Sequence, residues 1–82
     1  DVEIFEINFD LINNGILLTD LLLMSNMVSS KSEGKRMIEQ NAIKLNGIKT
    51  NNTETIITLE NFINNELVIQ KGKKQFKKIV IK

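Results

Sequence analysis

Hydrophobic and polar residues change their period several times along the chain, and each change marks an element. In the opening stretch, D-V-E-I-F-E-I-N-F-D-L-I-N-N-G, apolar and polar residues alternate around Val2, Ile4, Phe5, Ile7 and Phe9. That predicts an extended segment over residues 1–14, closed by Asn13-Asn14-Gly15, as an edge strand or the ordered end of a linker. From Ile16 to Met27 the spacing becomes helical, with Leu18, Leu21, Leu22 and Ser25 on one stripe and Thr19 and Asp20 outside it. Core packing accounts for the leucines. Asn26 suits a left-handed helix stop, after which Met27 and Val28 turn back to the core.

A second helix follows within two or three residues. Ser30 is its N-cap, and Glu33 three positions later completes a capping-box pattern. Helical spacing gathers Lys31, Lys35 and Arg36 on one side and leaves Met37 and Ile38 for the core. Gly34 costs about 1 kcal/mol relative to alanine inside a helix; a close approach by another backbone is the expected reason for it. Asn41 ends this helix and Ala42 starts an extended run. Asn46-Gly47 between alternating apolar residues is a strong hairpin signal, flanked by Lys44 and Lys49.

Residues 51–66 carry the weakest pattern. Ile56, Ile57, Leu59, Phe62 and Ile63 are expected to be buried, around a single helical turn at Thr58–Phe62. The end is clearer: Leu67–Gln70 and Phe76–Ile81 are strands around K-G-K-K-Q, with Gly72 in the turn.

Composition narrows the chemistry. Eighty-two residues make one domain, which buries only about 60% of its unfolded surface. There is no cysteine and no histidine, so disulfides, thiolate metal sites and the commonest general base are absent. No glycine-rich phosphate loop and no nucleophile–base set is present, and neither a metal nor a cofactor is called for. Asp1-Val2-Glu3 lacks an initiator Met, and the expectation is a non-catalytic piece of a larger, soluble, cytoplasmic protein. No apolar run reaches the length that spans a bilayer.

Charge sharpens the picture. The net +1 conceals a separation: all eleven Lys and Arg lie at or after Lys31, against five acids there, and the first thirty residues hold five acids alone. A coding bias toward lysine raises the count but does not leave the first third empty. Such a basic block on a compact domain faces a polyanion, of which nucleic acid is the commonest. Six lysines without an acid fall in 71–82; a bound partner explains them better than an edge strand merely guarded by charge. Phosphate recognition needs cations and backbone N–H groups, and the Ser30-capped helix start supplies the latter. Lys31, Ser32, Lys35 and Arg36 surround that start, with Lys44, Lys49, Lys71, Lys73 and Lys74 on the two turns. Five or six phosphate contacts imply that log affinity falls with log salt at a slope of roughly −4 to −5. Only Phe76 is aromatic within the basic hairpin, so recognition of folded RNA by shape and backbone is expected, rather than stacking of splayed bases.

These residues resemble a known family. S-S-K-S-E-G-K-R-M-I-E-Q-N-A-I-K-L-N-G-I-K-T is similar to the αL motif of the ribosomal S-four type RNA-binding domain, a helix pair followed by "G-x-V-x-V-N-G". I-L-L-T-D-L-L-L-M-S-N-M resembles that family's "L-V-E-L-L-V-x-A-G-L" run. I-Q-K-G-K-K-Q-F-K-K-I-V-I resembles the final hairpin of bacterial tyrosyl-tRNA synthetases, R-R-G-K-K-x-Y-Y. The resemblance covers residues 15–82 and implies an α+β, S-four-like fold, two short helices on a small, mainly antiparallel sheet. It also implies a C-terminal domain that grips tRNA(Tyr) between its anticodon arm and long variable arm. The catalytic domain, which uses ATP to join tyrosine to the tRNA, would precede it. The parent enzyme would be a homodimer and this piece a monomer. RNA-contact positions carried over are Lys31, Ser32, Lys35, Arg36, Lys44, Asn46, Lys49, Lys71, Lys73 and Lys74. Asn26 and Asn41 stand where glycine is usual, Gly34 where alanine is, and Gln75-Phe76-Lys77 where an aromatic pair is. The competing readings are the RNA-targeting domain of a pseudouridine synthase or ribosome-associated factor, and a protein-interaction module with solvated lysines.

Overall fold

Alternation in the last hairpin decides the architecture. In β6 (Glu66–Lys71) Leu67 and Ile69 are buried, while Glu66, Val68 and Gln70 on the other face are only half-buried. β7 (Gln75–Ile81) pairs antiparallel with it, Lys71 opposite Gln75 and Glu66 opposite Val80. One face of this ribbon is therefore covered and the other left open.

The computed structural model describes residues 2–82. Five strands form the main sheet in the order β1-β7-β6-β3-β4, and a two-stranded sheet sits beside it. β1 (Glu3–Ile7) runs parallel to β7 at one edge, Glu3 opposite Lys77 and Ile7 opposite Ile81. β3 (Ile43–Leu45) pairs antiparallel with β6, and β4 (Ile48–Lys49) closes the far edge. Apart from β1 the sheet is antiparallel, so the expected α+β class with a mainly antiparallel sheet is what forms.

The opening stretch is thus an edge strand, and Phe5 and Ile7 face the core rather than Val2 and Ile4. It does not stay extended. α1 (Phe9–Asn13) follows at once, capped by Asn8, whose side chain accepts from the Asp10 N–H, and it buries Ile12 completely. The expected long apolar helix splits in two. Ile16–Leu17 is β2, paired with β5 (Ile56–Ile57), and α2 spans only Leu18–Met24. Leu18, Leu21, Leu22 and Ser25 are buried as their spacing predicts, but Thr19 is buried too. Its methyl group lies where α3 (Lys31–Glu39) crosses, 3.6 Å from a Cβ placed on Gly34.

Both helix stops follow the same rule. Asn26 and Asn41 adopt φ of 62° and 61°. Met27 N–H returns to the Leu22 carbonyl and Ala42 N–H to that of Met37, the outer bond of a Schellman motif. Asparagine does here what glycine commonly does, because its short polar side chain tolerates the left-handed region. Asn46 and Gly47 have φ of 50° and 86°, the pair of positive values that a two-residue hairpin needs. In 51–66 the single turn is a 3-10 helix at Leu59–Asn61 capped by Thr58. Of its five apolar residues only Ile57 is fully buried; Ile56, Leu59 and Ile63 are exposed and Phe62 is half-buried.

Candidate nucleic-acid interface

Every cation of this chain sits on a long flexible stem, so what matters is which of them the fold has already engaged. Four are held. Lys31 pairs with Asp20 of α2 at 2.9 Å. Lys71 and Lys77 reach from the core-facing side of the hairpin to the end of α2, where Nζ of each donates to a backbone carbonyl, Met27 and Ser25 respectively, both at 2.6 Å. Cations are favoured there because a helix C-terminus carries unsatisfied carbonyls and the negative end of the dipole. Lys77 also meets Glu3 at 3.2 Å, and Lys78 meets Glu66 at 3.5 Å. Lys35, Arg36, Lys44, Lys49, Lys73, Lys74 and Lys82 have no ion pair or hydrogen bond among the described residues.

The start of α3 and the final hairpin meet, although not through the lysines of the 31–36 cluster. Ser29 and Glu33 at the start of α3 line one shallow groove with Asn26, Met27, Val28, Lys71 and Gln75. The turn of the final hairpin is tied there as well, since Gly72 N–H donates to Ala42 just past the end of α3. Asn26 and Met27 also line an adjoining groove with Lys74 and Phe76. Glu33 at the start of α3 and Lys71 and Lys74 of the hairpin therefore border the loop between α2 and α3, and the charges of Lys71 and Arg36 both act on the Glu33 carboxylate.

Three expectations are corrected. The capping box is shifted by one residue: Ser30 Oγ accepts from the Glu33 N–H, but the Glu33 carboxylate accepts from Ser29 N–H at 2.6 Å and Ser29 Oγ at 2.9 Å. These Ser29 bonds, backbone first, hold the Glu33 carboxyl below its ordinary pKa, aided by the charges of Lys71 and Arg36. An acid thus already sits beside the helix start, so the N–H groups there offer an anion less than the capping pattern alone suggests. Second, Lys31 and Lys35 point along the flank of α3 away from the hairpin. Lys31 lies against Asp20, and Lys35 lines a groove with Leu17, Thr53 and Glu54. Third, Lys44 and Lys49 lie on the opposite face of the sheet from the helices. Ile43 takes the core side, so Lys44 and its partner Lys49 take the other.

Asn46 has a structural task that its hairpin signal did not reveal. Its Nδ2 donates to the Asn61 carbonyl at 2.9 Å and its Oδ1 accepts from Val68 N–H at 3.0 Å. One side chain thus joins the β3–β4 turn to β6 and to the 3-10 helix. Ser32, by contrast, is exposed on the outer side of α3 beside Arg36. No helix among the described residues is long and apolar enough to cross a membrane, and none of their carboxylates cluster as a metal site.

A family model described as the tyrosine–tRNA ligase SYY-like C-terminal domain matches residues 4–79. A tyrosine–tRNA ligase of Borrelia garinii subsp. bavariensis is 41% identical over 81 residues, which is 99% of this chain and 20% of that protein. That of Acetivibrio thermocellus is 40% identical over 68 residues, 83% of this chain and 17% of the relative. A third, from Borreliella burgdorferi, is 38% identical over 81 residues, again 99% and 20%. The chain spans about a fifth of the length of these relatives. With the matched region reaching from the first strand to the last, the chain belongs to the tyrosine–tRNA ligase C-terminal domain family.

Proposed function

We propose that this domain grips tRNA(Tyr) for a cytoplasmic tyrosine–tRNA ligase, taking the region between the anticodon arm and the variable arm. The aminoacylation chemistry, which joins tyrosine to the tRNA at the expense of ATP, belongs in this reading to a separate catalytic domain of the same protein, itself a homodimer. The observation that carries it is the meeting of the start of α3 with the final hairpin, Ser29 and Glu33 beside Lys71 with Lys74 in the adjoining groove, on a domain of this family. Lys73 and Lys74 contact phosphates from the turn, Arg36 and Ser32 from the exposed side of α3, and Lys35 from its flank. Lys71 and Asn46 serve mainly by holding these elements in place, and Lys31 is partly neutralised by Asp20.

With Lys73 and Lys74 on the turn, Arg36 on the exposed side of α3 and Lys35 on its flank as the unengaged cations, about four phosphates are neutralised, and the salt slope becomes roughly −3 to −4. The test is a titration of the 82-residue chain with tRNA(Tyr) and with the same tRNA lacking its variable arm, across a salt series. Loss of the arm should weaken binding at least tenfold, and replacing Lys73 and Lys74 by Gln should flatten the slope by about 2. Equal affinity for both RNAs would remove the arm from the proposal. A slope near zero would remove RNA altogether.

A further inference from the structure

The open face of the main sheet carries its own ordered set of groups. Register places Lys49 opposite Lys44, Lys44 opposite Gln70, and Gln70 opposite Phe76. Directly paired residues point to the same side, so these four form one row across β4, β3, β6 and β7 on the face away from the helices. Strands about 4.8 Å apart make the row about 14 Å long. Phe76 is 40% exposed, the Lys44 and Lys49 ammonium groups have no partner among the described residues, and Gln70 Nε2 donates to the Gly72 carbonyl, which leaves Oε1 as an acceptor.

We infer that this row is a second RNA-contact surface, on the open face of the sheet and meeting the helix-side groove at Phe76, which lines both, and that it takes unpaired nucleotides: a base stacks on Phe76 while Lys44 and Lys49 hold the adjoining phosphates. The inference rests on the RNA-binding reading above and adds a ligand class to it. A duplex offers side chains only its edges and backbone, whereas an exposed ring needs a base whose face is free. The rest of this face limits the site to one end. The far row is Glu6, Val80 and Glu66, and Lys78 between the two rows is tied to Glu66. Acids there repel the strand, so RNA is confined to the end next to the Lys73–Lys74 turn, where it adjoins the first surface. A second copy of this chain is a poor occupant, because a twofold contact would set Lys44 and Lys49 against each other.

The experiment uses the 82-residue chain, with an unpaired oligoadenylate decamer and a blunt RNA duplex as probes, read by anisotropy of labelled RNA. Phe76→Ala should weaken the decamer about tenfold and the duplex less than twofold. Phe76→Trp should keep the affinity, and its indole emission, the only one in the chain, should be quenched on binding the decamer. Lys44→Gln with Lys49→Gln should lower the decamer's salt slope by about 1.4 and leave that of the duplex. A decamer affinity within twofold of the parent in Phe76→Ala overturns the inference, as does an equal loss on both probes. So does a dimer in sedimentation that Phe76→Ala abolishes while RNA binding is unchanged. If the parent chain binds neither RNA, the general RNA reading fails with it; duplex binding that ignores Phe76 and the lysine pair sinks this surface alone.

Discussion

Replacing Lys77 by Met separates two roles that one lysine could play. By charge alone Lys77 belongs to the basic hairpin, and its removal should weaken RNA binding. By position it is a clamp: its side chain is 13% exposed, and Nζ donates to the Ser25 carbonyl at the C-cap of α2 and meets Glu3. A hydrogen bond to a charged group contributes about 1.5–3 kcal/mol. The helix-dipole share overlaps with that figure, because the carbonyl contacted is itself part of the helix end. The Glu3 partner adds little. Its side chain is 80% exposed, and such ion pairs contribute about 0–1 kcal/mol. Met keeps most of the buried aliphatic stem, so the expected loss is about 2 kcal/mol, nearly all from the carbonyl.

Urea unfolding measures it. The chain has no Trp or Tyr, so circular dichroism is the probe. With a slope of about 1 kcal/mol per molar for a domain this small, the midpoint should fall by about 2 M. Glu3→Gln should move it by less than about 0.5 M. At a temperature where the variant is folded, the salt slope for RNA should be unchanged. Two results refute the reasoning: a Lys77→Met midpoint within about 0.5 M of the parent, or a Glu3→Gln loss of equal size.

Three other outcomes follow from the geometry. Gly34→Ala should stabilise the chain by about 0.5–1 kcal/mol, since helix propensity improves and the added Cβ meets Thr19, Val28 and Leu22 at 3.6–3.8 Å, ordinary contact distances; thermal unfolding should shift up by about 2–8 °C. Asn46→Ala should cost about 2–3 kcal/mol, because Asn61 O and Val68 N–H lose their partner and φ of 50° becomes strained. Asn46→Gly should recover only the strain, and urea midpoints of the two variants resolve the shares. Glu33 has a lowered pKa, so its carboxylate adds stability that is full above its ordinary value of 4.5 and is lost as pH falls through the lower folded value. Urea midpoints of Glu33→Gln and the parent should therefore differ at pH 6 and converge on acidification below 4.5.

What was legible in the sequence was what local chemistry decides. The two asparagine stops, the Asn46-Gly47 turn, the Ser30 cap and the last hairpin each depend on a few adjacent residues, and each forms where the pattern places it. Two of the errors have their cause in long-range contact, and a third in local overlap of patterns. Ile16 and Leu17 have helical neighbours but pair with Ile56 and Ile57, forty residues away, and Thr19 is buried only because α3 crosses over it at Gly34. Phe9–Asn13 follows a strand so closely that alternation runs into its first turn and hides the Asn8 cap. At the candidate site, the meeting of the α3 start with the final hairpin was legible from the motifs, in Ser29 and Glu33 beside Lys71 and Gln75; which cations come together was not. The facing of Lys44 and Lys49 depends on which side of β3 is buried, and one residue of phase reverses it.

Those facings explain why a count of lysines overstates the number of cations left unengaged by the fold. Lysines on the core-facing side of the hairpin, 71 and 77, bend inward and end on carbonyls of the α2 terminus; those in the turn, 73 and 74, have nothing to bend toward and stay in solvent. The first pair fixes where the second pair stands, because Lys71 binds the hairpin to the loop that leads into α3. Buried and free cations are thus successive parts of one arrangement, and they respond to different measurements. Neutralising Lys73 or Lys74 changes the salt slope and spares the urea midpoint. For Lys77 the order is reversed, and Lys71, clamped yet bordering the groove, should move both.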